Sequence, residues 1–398
     1  MNENQIRDEG AQRPVKKAIG AENFLFLGFF LLFFGFLGST MGFVNLINTV
    51  MNNAFDLLIN TCFYIMAVAV IAGAVGSLLL EFGVVALINQ LLSPLMKPLF
   101  GLPGAASLGI MTTYLSDNPA ILSLAGDKSF RKYFRKYQLP ALTNLGTAFG
   151  MGAIVTTFVM GIADPGGGNF IAAALIGNVG AVCGSIVSTR LMLMQTSKLY
   201  GKSALCDGEI YAEDGTEAFR EVRPGGIGMR FINALLDGGK TGVAMGMEIV
   251  PGVVIICTLV LLLTNGPSAS GAYTGAAYEG VRFLPWLAEQ ADIFLKAVFG
   301  FSSSECIAVP VTALGSAGAA IGLIPQLVAN GLANGSDVAV FTSMCMCWSG
   351  YLSTHVAMMA GLKCNELVGK AILSHTIGGL FAGFSAHWLY KIFVLLSL

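Results

Sequence analysis

A carboxylate in the middle of a long apolar run has few uses, and Asp117 is such a residue. It stands in Ser116-Asp117-Asn118-Pro119, which interrupts the apolar stretch 97–126 (KPLFGLPGAASLGIMTTYLSDNPAILSLAG) near its centre. A charge at mid-bilayer depth is costly, so it marks an ion, proton or solute site, and Ser116 and Asn118 add neutral polar groups beside it. The same residues also suit a turn, because Ser, Asp and Asn satisfy loose amides and proline starts helices well.

Other candidates fall into two groups. Glu248 lies about two turns into the apolar run 241–263, just before Pro251. It suits proton or cation coupling as a buried carboxylate, or a structural pairing with Lys240. Ser302, Ser303, Ser304 and Glu305 offer oxygens near a second apolar stretch, 301–334, although Ser302 and Glu305 also have the S-x-x-E spacing of a capping box. That stretch has its own weak point at Gly315-Ser316-Ala317-Gly318, where Ser316 is the polar residue. Thr143 and Asn144, with Thr342 and Ser343, are expected where a hairpin tip would pack, or else to bond neighbouring helices.

Metal and enzyme chemistry find less support. Met344-Cys345-Met346-Cys347 with His355 hints at a soft-metal path, but Cys345 and Cys347 lie roughly 200° apart on a helix and cannot share an ion. No metal site is expected. His375 and His387 suit either a proton relay or a packed hydrogen bond. Asp237-Gly238-Gly239-Lys240-Thr241 ends like a phosphate loop, yet Ala234 replaces the first glycine and no strand precedes it. The sequence therefore points to no enzyme, no catalytic residue and no cofactor beyond a coupling ion, H⁺ or Na⁺.

What must position these residues is a membrane protein. The 398 residues are 55% hydrophobic and 11% charged, with mean hydropathy +0.73. With net charge −1 and no basic block long enough to track phosphates, nucleic acid is not an expected partner. Each arm flanking Ser116–Pro119 is too short to span, so the stretch reads as a re-entrant helical hairpin with a polar tip.

A second copy follows at an offset of 199. It carries Lys97, Phe100 and Gly101 to Lys296, Phe299 and Gly300, then Thr113, Leu115 and Ala120 to Thr312, Leu314 and Ala319. The same offset carries Thr143 to Thr342, Met160 to Met359, and Gly180 and Gly184 to Gly379 and Gly383. A constant offset over that length implies duplication.

The expected layout is a tail (1–23), a first repeat with a leading span (24–194), a linker (195–226) and a second repeat (227–398). Seven spans are expected, at 23–47, 57–80, 139–162, 169–194, 241–263, 338–362 and 367–389. Surface helices are expected at 45–56, 82–100, 231–239 and 281–298. The basic cluster Lys128, Arg131, Lys132, Arg135 and Lys136 sets the cytoplasmic side, with the N-terminus cytoplasmic. The two hairpins then enter from opposite faces. The fold expected is an all-α polytopic membrane protein of two inverted-topology repeats, about seven transmembrane helices and two re-entrant hairpins.

FGLPGAASLGIMTTYLSDNPA, FGFSSSECIAVPVTALGSAGA and the glycine-rich spans beside them resemble the nucleoside-recognition or Gate domain family, as two fused Gate units over about 45–184 and 230–383. That family includes parts of concentrative nucleoside transporters, the membrane part of ferrous-iron permeases and spore maturation membrane proteins. The resemblance implies a hairpin-containing, transporter-like fold without fixing a substrate. The residues support a secondary transporter or permease of the cytoplasmic membrane for a small polar solute, nucleoside-like or anionic. A non-transporting component of spore or envelope maturation is the rival, and metal permeation a weaker one. Lipid is the certain surrounding, and a homo-oligomer or a membrane partner protein is left open.

Overall fold

Lipid offers no partner to backbone amides, so a chain this apolar folds into helices that satisfy themselves. In the computed structural model, which describes residues 18–118, 120–126, 128–206 and 222–397, the chain is an all-α polytopic membrane protein with no strand among the described residues. The acidic middle of the expected linker lies outside the described residues.

The leading helix α1 (Ala21–Met41) ends at Gly42, whose φ is +83°. The long helix α2 (Phe43–Glu81) follows, then the shorter α3 (Val84–Phe100). The first hairpin is α4 (Ala106–Leu115) and α5 (Ala120–Gly126). Next come α6 (Leu139–Thr147), α7 (Gly152–Met160) and α8 (Ile171–Tyr200). The second half opens with the long α9 (Ile227–Thr264), followed by α10 (Phe283–Gln290) and α11 (Asp292–Phe299). Its hairpin is α12 (Ser304–Ala313) and α13 (Ala317–Ala329). α14 (Gly335–Cys347), α15 (Tyr351–Gly361) and α16 (Asn365–Ser397) complete the chain.

The order of elements recurs at the expected offset, and the special backbone positions recur with it. Gly101 and Gly300 both end their interfacial helices with positive φ, +74° and +64°. Met151 and Gly350 both precede the second part of a broken helix with φ of +54° and +61°. Six helices are long and apolar enough to cross a membrane: α1, α2, the 139–160 segment, α8, α9 and α16. The α14–α15 pair stands at the repeat position of α6–α7, and the pair α11 and α12, bent by 72°, also passes as a broken span or re-entrant loop. Three helices of spanning length, the 139–160 segment, α8 and α9, lie between the two hairpins, an odd number as an inverted-topology repeat requires.

Four expectations are corrected. The surface helices expected at 45–56 and 231–239 are not separate elements, because each continues into the span after it. The first keeps Ile47, Met51 and Phe55 exposed, and its asparagine side meets protein. Asn45 and Asn52 donate to the carbonyls of Tyr273 and Gly275, and Asn53 accepts from the Tyr278 amide at 2.6 Å, so this part of α2 carries the loop 265–282. The first span ends at Met41 rather than 47. The span expected to end at 194 continues as α8 to Tyr200. Last, the spans expected to be continuous at 139–162 and 338–362 are each broken in the middle.

Two close crossings hold the halves together. Gly73 of α2 meets Gly238 of α9 so closely that a Cβ on Gly238 would stand 2.2 Å from the Gly73 carbonyl. In the other crossing, a Cβ on Gly184 of α8 would stand 2.5 Å from the Gly378 carbonyl of α16. Small residues let backbones touch where lipid gives helices little hydrophobic reason to associate. At the end of α2, Glu81 pairs with Arg223 (2.8 Å) and Arg230 (2.6 Å), fixing the start of α9 beside it.

Candidate functional site

The two hairpin tips converge on the breaks of the two interrupted spans. In the first hairpin the helical ladder stops at Ser116, whose hydroxyl turns back to the Thr112 carbonyl. The half-buried Asp117 accepts the Asn118 amide at 2.7 Å, a contact within the turn. Asn118, only 2% exposed, leaves its own hairpin: its side-chain amide donates to the carbonyl of Ser349, in the break between α14 and α15. Its side-chain oxygen is buried without a hydrogen-bond partner. That oxygen lies against Gly150, in the break between α6 and α7. A Cβ built on Gly150 would be 1.8 Å from it and 2.9 Å from the Ser349 hydroxyl.

The second tip reaches the same place from the other side. Ser316 caps α13 by accepting the Ala319 amide at 3.2 Å. Gly350 donates its amide to the Ala313 carbonyl at 3.1 Å, and a Cβ there would stand 3.0 Å from the Gly315 carbonyl. Asn118, Gly150, Ser349, Gly350 and the Ala313–Ser316 turn thus form one polar centre. At these breaks the carbonyl ends of α6 and α14 meet the amide ends of α7 and α15. Such ends can receive a cation and a polar or anionic group respectively.

Two cavities flank this centre at opposite ends of the broken span 139–160. One, about 330 Å³, touches its start at Leu139 and Pro140 and includes Arg131, Lys136, Tyr200 and Lys363. The other, about 430 Å³, touches its far end at Phe158, Gly161 and Ile162 and includes Asp56, Tyr64, Tyr278 and Gln326.

The remaining candidates divide. Glu248 is exposed rather than buried, because Gly246 takes the α2 contact and two residues turn a helix by about 200°. Lys240 pairs with Asp237, at 3.4 Å. Thr143 bonds back to the Pro140 carbonyl at 2.7 Å, and Thr342 and Ser343 bond the Val338 and Val340 carbonyls of their own helix. Asn144 donates to Ser188 and to the Ala371 carbonyl, each at 3.1 Å, which makes it an interhelical bridge rather than a wall of the tip.

The capping box expected from Ser302 to Glu305 does not form. Ser302 donates its amide and hydroxyl to Asp337 at 3.0 and 2.6 Å, and Glu305 pairs with Arg282 at 2.9 Å. Ser303 contacts Cys306, and Ser304 donates to Glu305 at 3.2 Å. These residues sit at the entrance of the second hairpin, an arm of roughly 15 Å away from its tip. Cys345, Cys347 and His355 are buried in packing, and no group of three metal-ligating side chains assembles among the described residues.

Sequence reasoning missed Gly150, Ser349 and Gly350. Their signal was the offset itself, which lays Phe149-Gly150-Met151 on Trp348-Ser349-Gly350.

Inverted halves, each with a hairpin tip set against a broken span, are an architecture of secondary transporters. Among solved structures, this fold is shared by CNTnw, a concentrative nucleoside transporter. A double variant of CNTnw in an outward-facing state matches with a TM-score of 0.52 at 13% identity, covering 92% of this chain and 84% of that one. A second outward-facing double variant gives 0.50 at 13% identity, over 92% and 85%. A single variant in an intermediate state gives 0.50 at 14% identity, over the same shares. At such identity the likeness establishes the fold. No protein-family model matches the chain, and no curated protein matches its sequence.

Proposed function

We propose that the protein is a secondary transporter that carries a small polar solute, nucleoside-like or anionic, across the cytoplasmic membrane by alternating access, coupled to Na⁺ or H⁺. The N-terminus and the first hairpin face the cytoplasm in this reading, as the basic cluster 128–136 requires. The observation that carries it is the Asn118 side-chain oxygen, buried without a hydrogen-bond partner where two broken helices meet. Leaving such a group unsatisfied costs about 1–3 kcal/mol, which a bound cation or solute would offset.

The sequence of events follows from the layout. A coupling ion held by the Asn118 oxygen and the freed carbonyls would draw the first tip and both breaks together, completing a solute site against the amide ends of α7 and α15. In the proton-coupled form of the same cycle, Asp117 and Glu248, as carboxylates of membrane segments, would be the candidate proton carriers. The fold shared with a nucleoside transporter supports a nucleoside-like solute as the first class to test.

The experiment is a thermal-shift screen of the purified protein against nucleosides, carboxylates and amino acids, with sodium and with potassium replacing it. A ligand of the native state raises its apparent stability by mass action. A solute that stabilises the wild type, and stabilises Asn118→Ala at least tenfold less potently, supports the reading. No stabilisation by any solute under either cation contradicts it.

A further inference from the structure

A chain of buried hydrogen bonds runs from the first repeat to the second break, and its direction can be worked out from chemistry. One ring nitrogen of His375 contacts the Cys347 carbonyl, and the other contacts the Ser188 hydroxyl at 2.8 Å. A carbonyl can only accept, so the nitrogen facing Cys347 carries the proton, and in the neutral imidazole the nitrogen facing Ser188 then accepts. Ser188 therefore donates to His375, and its oxygen receives the Asn144 side-chain amide at 3.1 Å. Asn144, Ser188 and His375 are at most 1% exposed, as is Cys347. The chain links α6, α8, α16 and the end of α14.

Its last member is what matters. In an unbroken helix the Cys347 carbonyl would accept the Tyr351 amide, but that amide turns instead to the Trp348 carbonyl at 3.4 Å. The break thus frees the Cys347 carbonyl inside the protein, and the His375 ring takes the place of the missing donor. Two residues further on, Ser349 presents its carbonyl to Asn118. The equivalent carbonyl of the first break, Ala148, receives no side-chain donor among the described residues, so the two breaks are held differently.

We propose that His375 is a positioning residue for the polar centre: by holding the freed Cys347 carbonyl it fixes the second break, and with it the place where Ser349 meets Asn118. The inference rests on the transporter reading only for the purpose the fixed break serves. The clamp itself is a statement about structure.

Hydrogen exchange followed by mass spectrometry on the full-length protein in nanodiscs tests it, with the amides of 345–352 as the readout. His375→Leu should accelerate exchange there at least tenfold while α8 and the rest of α16 keep their protection, and His375→Gln, which retains a donor, should recover most of it. Ser374→Ala, one position earlier, removes only a bond from Gln195 (2.9 Å) and should leave the segment unchanged. If His375→Leu does not fold, Ser188→Ala, which frees the ring to change tautomer, should accelerate the same segment to a smaller extent. Wild-type exchange in the variant, or faster exchange spread evenly over all helices, overturns the proposal. Failure of the solute screen with local acceleration intact would discard the transporter reading and keep the clamp.

Discussion

Asn118 and Gly150 are in a contact that only glycine permits: any Cβ at Gly150 would lie 1.8 Å from the Asn118 side-chain oxygen. The first hairpin tip therefore seats on bare backbone in the middle of a broken span. Gly150→Ala should push the tip out of its seat at a cost of about 1–3 kcal/mol, the range of overpacked cores. Lowered thermal stability together with lost solute response is expected; an alanine variant with the wild-type melting temperature and response would show that the tip is not seated there.

The two acidic groups and the carboxamide make separable contributions. Asp117→Asn removes the carboxylate at the first tip and leaves an oxygen able to accept the Asn118 amide at the turn. It should fold normally and lose the pH dependence of solute binding, with sodium dependence kept. Asn118→Ala should do the reverse. Measuring binding midpoints for both variants across pH 5 to 8 and across sodium concentrations checks this, and identical profiles would merge the two roles.

The loop 265–282 is built as a strap, and its chemistry gives a pH dependence. Tyr278, which stands at a positive φ, donates its phenol to Asp56. Burial first, and the hydrogen bond and charge of Asp56 next, push that phenol upward from its ordinary value. A raised folded-state pKa means stability that is fully present below the unfolded phenol's range, about pH 10, and is lost as pH rises toward the folded value. Tyr278→Phe should lower the melting temperature at neutral pH and flatten its decline at alkaline pH. Equal alkaline slopes in the two proteins would exclude this group.

Close backbone contact at Gly238 predicts a different defect. Gly238→Leu should separate α9 from α2, since the Gly73 carbonyl occupies the space of a side chain. The expected outcome is poor insertion or marked loss of thermal stability, checked by size-exclusion and melting profiles. A monodisperse, wild-type-like variant would mean that the two long helices do not pack through this glycine.

Much of the fold was legible because its signals are local. Ser116-Asp117-Asn118-Pro119 announces a turn in an apolar run, and the offset of 199 names its counterpart. The broken spans were not legible in the same way. Phe149-Gly150-Met151 contains neither charge nor proline, and a left-handed Met151 has no sequence signature. Glu248 was misplaced because the face it presents depends on which glycines of α9 touch α2, a tertiary fact. The Ser302–Glu305 capping box lost to a stronger competitor, Asp337, which lies 35 residues away. Ser188 and His375 are 187 residues apart, so their pairing leaves no mark on either neighbourhood.

The polar centre requires two hairpins that enter the membrane from opposite faces. Seven of the eight native cysteines are buried and Cys183 is half-buried, so single introduced cysteines can be read against a quiet background. Lys136→Cys, at the base of the first hairpin, and Asn330→Cys, at the base of the second, are both at exposed positions. A membrane-impermeant thiol reagent applied to oriented vesicles should label one of them from one side only and the other from the opposite side only. Labelling of both from the same side would contradict the inverted arrangement and the polar centre built on it.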